Sequence, residues 1–386
     1  MSRLGIWFIG ARGSLATTAT VGLGALAARL VDTTGCVTEH PDLDATGLAA
    51  YDAIVVGGHD VADTPLVKRA EQLVAGDVVP AALLAPLAEE LERVERRLRP
   101  GLAPNADGPV DQRADAERLV RDLREFAADV DRVVVVDVSS TEPPHDAGAD
   151  AESVAALEAA WDAGRAPLAP SSVYAYAALA AGCGYVGFTP SPGVDVPALR
   201  ELAEREGLPY AGCDGKTGET LVKSALAPMF HTRALAVRSW TSINLLGGGD
   251  GATLADPAAA SSKTRAKRSG LDAMLGHPVE GPMHIDYVED LGDWKTAWDQ
   301  IRFDGFLGTR MTLQFTWQGC DSTLAAPLVL DLARLVGRAL EVGESGALTE
   351  LAFFFKSPLD TEEHRLAQQW QALTAWSARC ADRVRP

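Results

Sequence analysis

The sequence predicts an α/β protein: a doubly wound parallel sheet interrupted by an α+β, mostly antiparallel domain. Three observations carry this. An apolar run at residues 4–9 ends in a glycine and passes into an Ala/Leu-rich stretch over 15–30, the strand–turn–helix order that opens a parallel unit. Residues 132–138 contain four successive valines, as a parallel strand buried on both faces requires. Residues 310–317 alternate strictly between polar and apolar, the signature of an antiparallel strand with one covered face.

The elements follow in order. Residues 51–56 read as a second buried strand, ending at Gly57, Gly58, His59 and Asp60. Residues 79–99 read as a helix whose second half is crowded with charge, and 100–111 as a Gly/Pro/Asn/Asp break. A helix over 115–128 precedes the valine strand; helices near 151–163 and 171–181 and a strand near 185–188 follow it. Alternation of strand and helix up to about residue 190 implies parallel strands joined by right-handed crossovers. Residues 232–246 and 283–289 are more sheet-like, and 324–340 returns to a long apolar helix. The expected domains are residues 1–200 for nucleotide binding, 201–318 for catalysis and oligomerisation, and 319–386 returning to the first domain.

Composition narrows the function. The 386 residues include 53 acidic and 35 basic side chains, a formal charge of −18. Such acidity argues against broad binding to nucleic acid or to an anionic membrane. Five cysteines without a C-x-x-C pair suggest neither a disulfide framework nor a zinc cluster, so a reduced, cytoplasmic setting and no bound metal are expected. No apolar run approaches the roughly 20 residues a membrane helix needs. Only seven of the basic residues are lysines: 68, 216, 223, 263, 267, 295 and 356.

Several motifs could carry chemistry. Gly10, Ala11, Arg12, Gly13, Ser14, Leu15 and Ala16 form G-x-x-G-x-x-A, a displaced relative of the Rossmann-type turn that aims a helix N-terminus at a pyrophosphate. A plain structural turn fits the same residues. Asp60, and Ser139 to Glu142, follow strands at the edge where open α/β sheets bind ligands; a turn or helix cap is the alternative for the latter. In Asp214-Gly215-Lys216-Thr217-Gly218-Glu219, a helix from Thr217 would set Lys216 and Lys223 on one face, suited to an anion or merely to solvent. Asn244 to Gly251, with Asp250, is glycine-dense, and Lys263 and Lys267 would stand together on a helix as a phosphate site or a surface cluster. Asp293 and Lys295, and Lys356 after an apolar run, could point into a site or to solvent.

The order of these motifs resembles the myo-inositol-1-phosphate synthase family, also called inositol-3-phosphate synthase. Gly57 to Asp60 resembles its G-G-W-D, Ser140-Thr141-Glu142 its N-T-E, Pro170 to Tyr174 its P-S-T-L-Y, and Ser191-Pro192 the S-P of N-G-S-P. Asp214 to Gly218 resembles D-x-K-S-G, Ser262 to Lys267 S-K-x-I-S-K, Gly292 to Lys295 G-D-S-K, Asp321 to Pro327 D-S-L-L-A-A-P, and Phe355 to Pro358 L-K-A-P. The resemblance implies an enzyme with catalytic NAD that converts glucose 6-phosphate to myo-inositol 3-phosphate by oxidation, enolisation, intramolecular aldol closure and reduction. It implies Lys263, Lys295 and Lys356, with Asp214 and Asp293, as the catalytic set. Lys216, Thr217, Gly218, Lys223, Asn244 and Lys267 would hold substrate. Gly10, Ala11, Arg12, Gly13, Ser14, Leu15, Asp60, Ser139, Ser140, Thr141, Ser191, Asp250 and Asp321 would line NAD. It further suggests a homotetramer acting on a small hexose phosphate. Three departures stand out: Gly10 to Ala16 is poorer in glycine and asparagine than the family's first loop, amides are missing from the glycine-dense loop after Asn244, and Glu219 replaces the Gln of many members. These keep open a relative that closes another hexose phosphate, such as fructose 6-phosphate, into a different ring. An ordinary NAD-dependent dehydrogenase is the further alternative.

Overall fold

The computed structural model describes residues 2–102, 111–247, 271–272 and 274–383. Lys263, Lys267 and Asp250 lie outside these residues. The chain opens with β1 (Leu4–Ile9), α1 (Ser14–Ala27), β2 (Ile54–Asp60), α2 (Leu66–Ala75), α3 (Leu84–Glu95), β3 (Leu98–Pro100) and α4 (Gln112–Ala127). It continues with β4 (Arg132–Asp137), α5 (Val154–Asp162), α6 (Pro170–Ala180), β5 (Gly184–Gly187), α7 (Pro197–Glu206) and β6 (Pro209–Gly212). Next come α8 (Gly218–Thr232), β7 (Ala236–Leu246), β8 (Met283–Tyr287), β9 (Trp294–Asp304) and β10 (Arg310–Cys320). The chain returns through α9 (Asp321–Val342), β11 (Gly346–Ala347) and α10 (Leu366–Asp382).

Two sheets result. The seven-stranded one runs in the order β11-β6-β5-β4-β1-β2-β3, and every pairing is parallel. Its strands are buried on both faces because alternate residues enter opposite cores. Leu4, Ile6, Phe8, Val134 and Val136 pack beneath α1 and α9, while Trp7, Ile9, Val133 and Val135 pack beneath α4 and α6. The chain moves outward one way from β1 to β3, then returns and moves outward the other way from β4. The switch point lies between β1 and β4, where such sheets bind ligands. The second sheet, β10-β9-β7-β8, is antiparallel except between β7 and β8, and it packs on α8 through Ala227, Phe230, Trp240 and Ile301. No described helix is long and apolar enough to cross a membrane.

The structure departs from the sequence reading in several places. Residues 51–53 are a 3-10 turn and β2 begins at Ile54. The helix expected over 79–99 starts at Leu84, after Pro80, and gives way to β3. The parallel sheet takes in β6, past residue 200, so it reaches into the span expected for the second domain. α2, α7, β6, β9, β11 and α10 have no counterpart among the elements expected from the sequence.

The Gly57–Asp60 motif, which forms the end of β2, is mainly a packing device. A Cβ on Gly57 would lie 2.7 Å from the Trp7 ring, and one on Gly58 would lie 2.6 Å from the Ala11 Cβ. His59 is fully buried; its Nδ1 accepts from Trp7 Nε1 at 2.8 Å and its Nε2 faces Asp122 at 3.0 Å. Burial lowers its pKa despite Asp122.

Candidate active site

A cavity of about 410 Å³ lies between the two sheets. One wall comes from the loops after β1, β4 and β5: Gly13, Ser14, Leu15, Ser139, Ser140, Thr141 and Thr189. The opposite wall carries Asp214, Thr217, Glu219, Asn244, Asp293, Lys295, Asp321, Ser322 and Lys356. Helices α1, α8 and α9 all begin at this cavity, and none has a side-chain hydrogen bond capping its first turn. Their dipoles direct positive partial charge toward this cavity within an acidic protein.

The cofactor side fits a dinucleotide. Gly10 has φ +82°, and a Cβ there would lie 3.0 Å from Ser139 Cα. Only glycine lets the turn pass so close to the β4 edge. Ala11 is buried behind the turn, its N–H donating to His59 O at 3.1 Å. Asp60 braces the turn from below, accepting from Arg12 N at 2.6 Å and Ala62 N at 2.7 Å. Arg12 itself turns away to pair with Glu95 at 2.6 Å. Ser139 donates to the fully buried Asp137, whose carboxyl burial pushes up. Ser191 Oγ accepts from Glu142 N at 3.1 Å and ties two cavity loops together.

The facing wall contains two lysine–carboxylate pairs. Lys356 Nζ donates to Asp214 Oδ1 at 2.8 Å, and its backbone N donates to Asp214 O at 2.7 Å. Lys295 pairs closely with Asp321, which also accepts from Thr217 Oγ1 at 2.8 Å. Burial works against the Asp321 charge, but Lys295, Thr217 and Lys356 hold its carboxyl below the usual range. Asp293 accepts from Ser322 Oγ at 3.3 Å. Lys295 packs over Gly218, where a Cβ would meet its Cε at 3.0 Å. Asp321, expected at the cofactor, is therefore engaged by lysine-site residues.

Two expected substrate lysines are occupied elsewhere. Lys216 is buried, donates to Gln369 Oε1 at 2.5 Å and lies 5.8 Å from the Phe353 ring centroid, so it anchors the loop to α10. Lys223 is buried among Glu219, Asp299 at 3.5 Å and Ser242 Oγ at 2.8 Å. Glu219, on the cavity wall, is its partner one turn earlier in α8. Burial pushes the Asp299 carboxyl up; Lys223 opposes this and Glu219 adds to it. Sequence reasoning missed Arg69, Thr189 and Ser322, which line the cavity. Ser322 alone had a signal, standing beside Asp321 in its motif.

Burial brings the Lys216 ammonium down from 10.5 to about 7. The unfolded chain then binds more protons between those values, so this group makes stability rise with pH from about 7 to 10.5. The expected slope is up to about 1.4 kcal/mol per pH unit. Urea melts of wild type and Lys216→Met at pH 7 and 9 test this: the difference between the two pH values should shrink in the variant.

Fold and site together define an α/β protein with a dinucleotide-type crevice facing a cleft of lysine–carboxylate pairs. The chain belongs to the myo-inositol-1-phosphate synthase family: the model of that NAD-binding family matches residues 4–378. It is 33% identical to inositol-3-phosphate synthase 1 of Bacteroides thetaiotaomicron, over 96% of this chain and 93% of that protein. It is 31% identical to the inositol-3-phosphate synthase of Spirodela polyrhiza over 74% of this chain, spanning 59% of that longer relative. The fold matches the crystal structure of inositol-3-phosphate synthase from Caenorhabditis elegans with a TM-score of 0.87 at 21% identity, covering 98% of this chain and 86% of that one.

Proposed function

We propose that this chain is an NAD-dependent sugar-phosphate cyclase that converts glucose 6-phosphate to myo-inositol 3-phosphate. The observation that carries this reading is the placement of Lys356–Asp214 and Lys295–Asp321 on one cavity with the glycine turn. Gly10, Gly13 and the start of α1 would hold NAD, which supplies reversible hydride acceptance, with Ser139 to Thr141 on the facing edge. The N–H groups at Thr217 and Gly218, at the start of α8, would hold the phosphate. Lys295 and Lys356 would stabilise the enolate and alkoxide charge that develops on the sugar and move its protons, with Asp214 fixing the Lys356 ammonium. Lys263 and Lys267 join this set through the motif they match. Asp293 orients the start of α9 through Ser322. We also propose a cytoplasmic homotetramer, which light scattering of the purified chain tests.

A second reading is favoured by Glu219. Its carboxylate is 3% exposed and is spent on Lys223, so this position does not offer the proposed phosphate subsite the neutral amide that many members carry there. Fructose 6-phosphate closed to a five-membered carbocycle is the version to test. Incubation with NAD and either sugar phosphate, followed by phosphorus NMR, decides. A cyclitol phosphate from glucose 6-phosphate supports the first reading, and one from fructose 6-phosphate alone supports the second. Net accumulation of NADH would instead identify a dehydrogenase.

A further inference from the structure

Arg12 is the basic residue of the glycine turn, yet its guanidinium is committed to Glu95 and to Ala62 O at 3.0 Å. A different arginine faces the turn. Arg69 of α2 donates from Nη2 to Ser14 Oγ at 2.7 Å and from Nη1 to Gln72 Oε1 at 2.8 Å. Both partners are neutral, and no carboxylate pairs with Arg69 among the described residues. It lines the main cavity with Gly13 and Ser14.

Its placement follows from the same ion pair that removes Arg12. Glu95 Oε1 holds Arg12, while its Oε2 accepts from Leu66 N, the first residue of α2, at 2.8 Å. Glu95 thus fixes the start of α2 against the glycine turn. Arg69, one helical turn further on, then lies over Ser14 at the start of α1. A guanidinium offers several donors in a planar fork that matches phosphate oxygens.

We propose that Arg69 is the cation of the dinucleotide site and binds the cofactor's pyrophosphate together with the N-terminus of α1. This rests on the NAD reading above. Its contact with Ser14 rather than with Asp60 favours the pyrophosphate over a phosphate on the adenosine ribose. The test is calorimetric titration of the full chain, freed of resident nucleotide, with NAD, ADP-ribose, NADP and adenosine, for wild type, Arg69→Gln and Arg69→Lys. Arg69→Gln should weaken NAD and ADP-ribose by about 10- to 100-fold, the scale of one charged hydrogen bond, and leave adenosine unchanged. Arg69→Lys should recover part of the loss, and salt should weaken wild type more than Arg69→Gln. Wild-type affinity for NAD and ADP-ribose in Arg69→Gln, or a loss confined to NADP, would overturn the assignment. A wild-type chain that binds none of the dinucleotides would overturn the NAD reading and this assignment with it.

Discussion

Lys356→Met should lower turnover of the sugar phosphate by roughly 10²- to 10⁴-fold, the usual contribution of a positioned acid or base, with NAD affinity unchanged. The residue is held twice by Asp214, through the backbone at 2.7 Å and through the ammonium at 2.8 Å. Its side chain is 18% exposed and that of Asp214 is 12% exposed, so the pair is shielded enough for its charge to act strongly on a bound substrate. Lys356→Arg separates charge from proton transfer, because a guanidinium does not give up its proton. If Lys356 only stabilises charge, arginine should restore part of the rate; if it moves a proton, arginine should be as slow as methionine. Single-turnover assays with glucose 6-phosphate and NAD give the rates, and NAD titration supplies the control. Full activity in both variants would remove Lys356 from the mechanism.

The parallel sheet was legible wherever burial on both faces leaves a continuous apolar run, as in β1 and the valines of β4. β9 was not legible because its inward positions include Asp299 beside Ala297 and Ile301, which breaks the alternation that marks a strand. The cavity was legible through motifs: residues after β1 and β4 meet Asp214, Lys295 and Lys356 because these loops converge at one edge of the parallel sheet. What the sequence could not supply was the destination of each charge. Helical spacing gives the direction in which Lys223 leaves α8. It does not reveal that Asp299, far along the chain, waits there. Likewise the crossing of α2 over α1, which turns Arg69 toward Ser14 and Arg12 toward Glu95, is a tertiary fact.

The consequence is sharpest at Lys223, which the resemblance assigns to substrate and the geometry assigns to a buried ion network. Lys223→Met should destabilise the fold by about 3–5 kcal/mol, because Glu219 and Asp299 would remain buried without their cation. Both are almost wholly inaccessible, at 3% and 0% side-chain exposure. Asp299 Oδ1 already accepts from Trp240 Nε1 at 2.6 Å and Ser242 Oγ at 2.5 Å, while its Oδ2 has no hydrogen-bond partner. Those bonds cannot replace a charge. The loss should depend on pH in a definite direction. Without Lys223 the folded carboxyls titrate above their unfolded values, so the folded state binds more protons and stability falls as pH rises through that range. Urea melts should therefore show a larger deficit at pH 8 than at pH 5. Neutralising the partners as well, in Lys223→Met with Glu219→Gln and Asp299→Asn, should recover most of the stability, since buried ion networks are replaceable by neutral groups of similar shape. A Lys223→Met chain that melts like wild type but binds glucose 6-phosphate weakly would return the lysine to the substrate and refute the network.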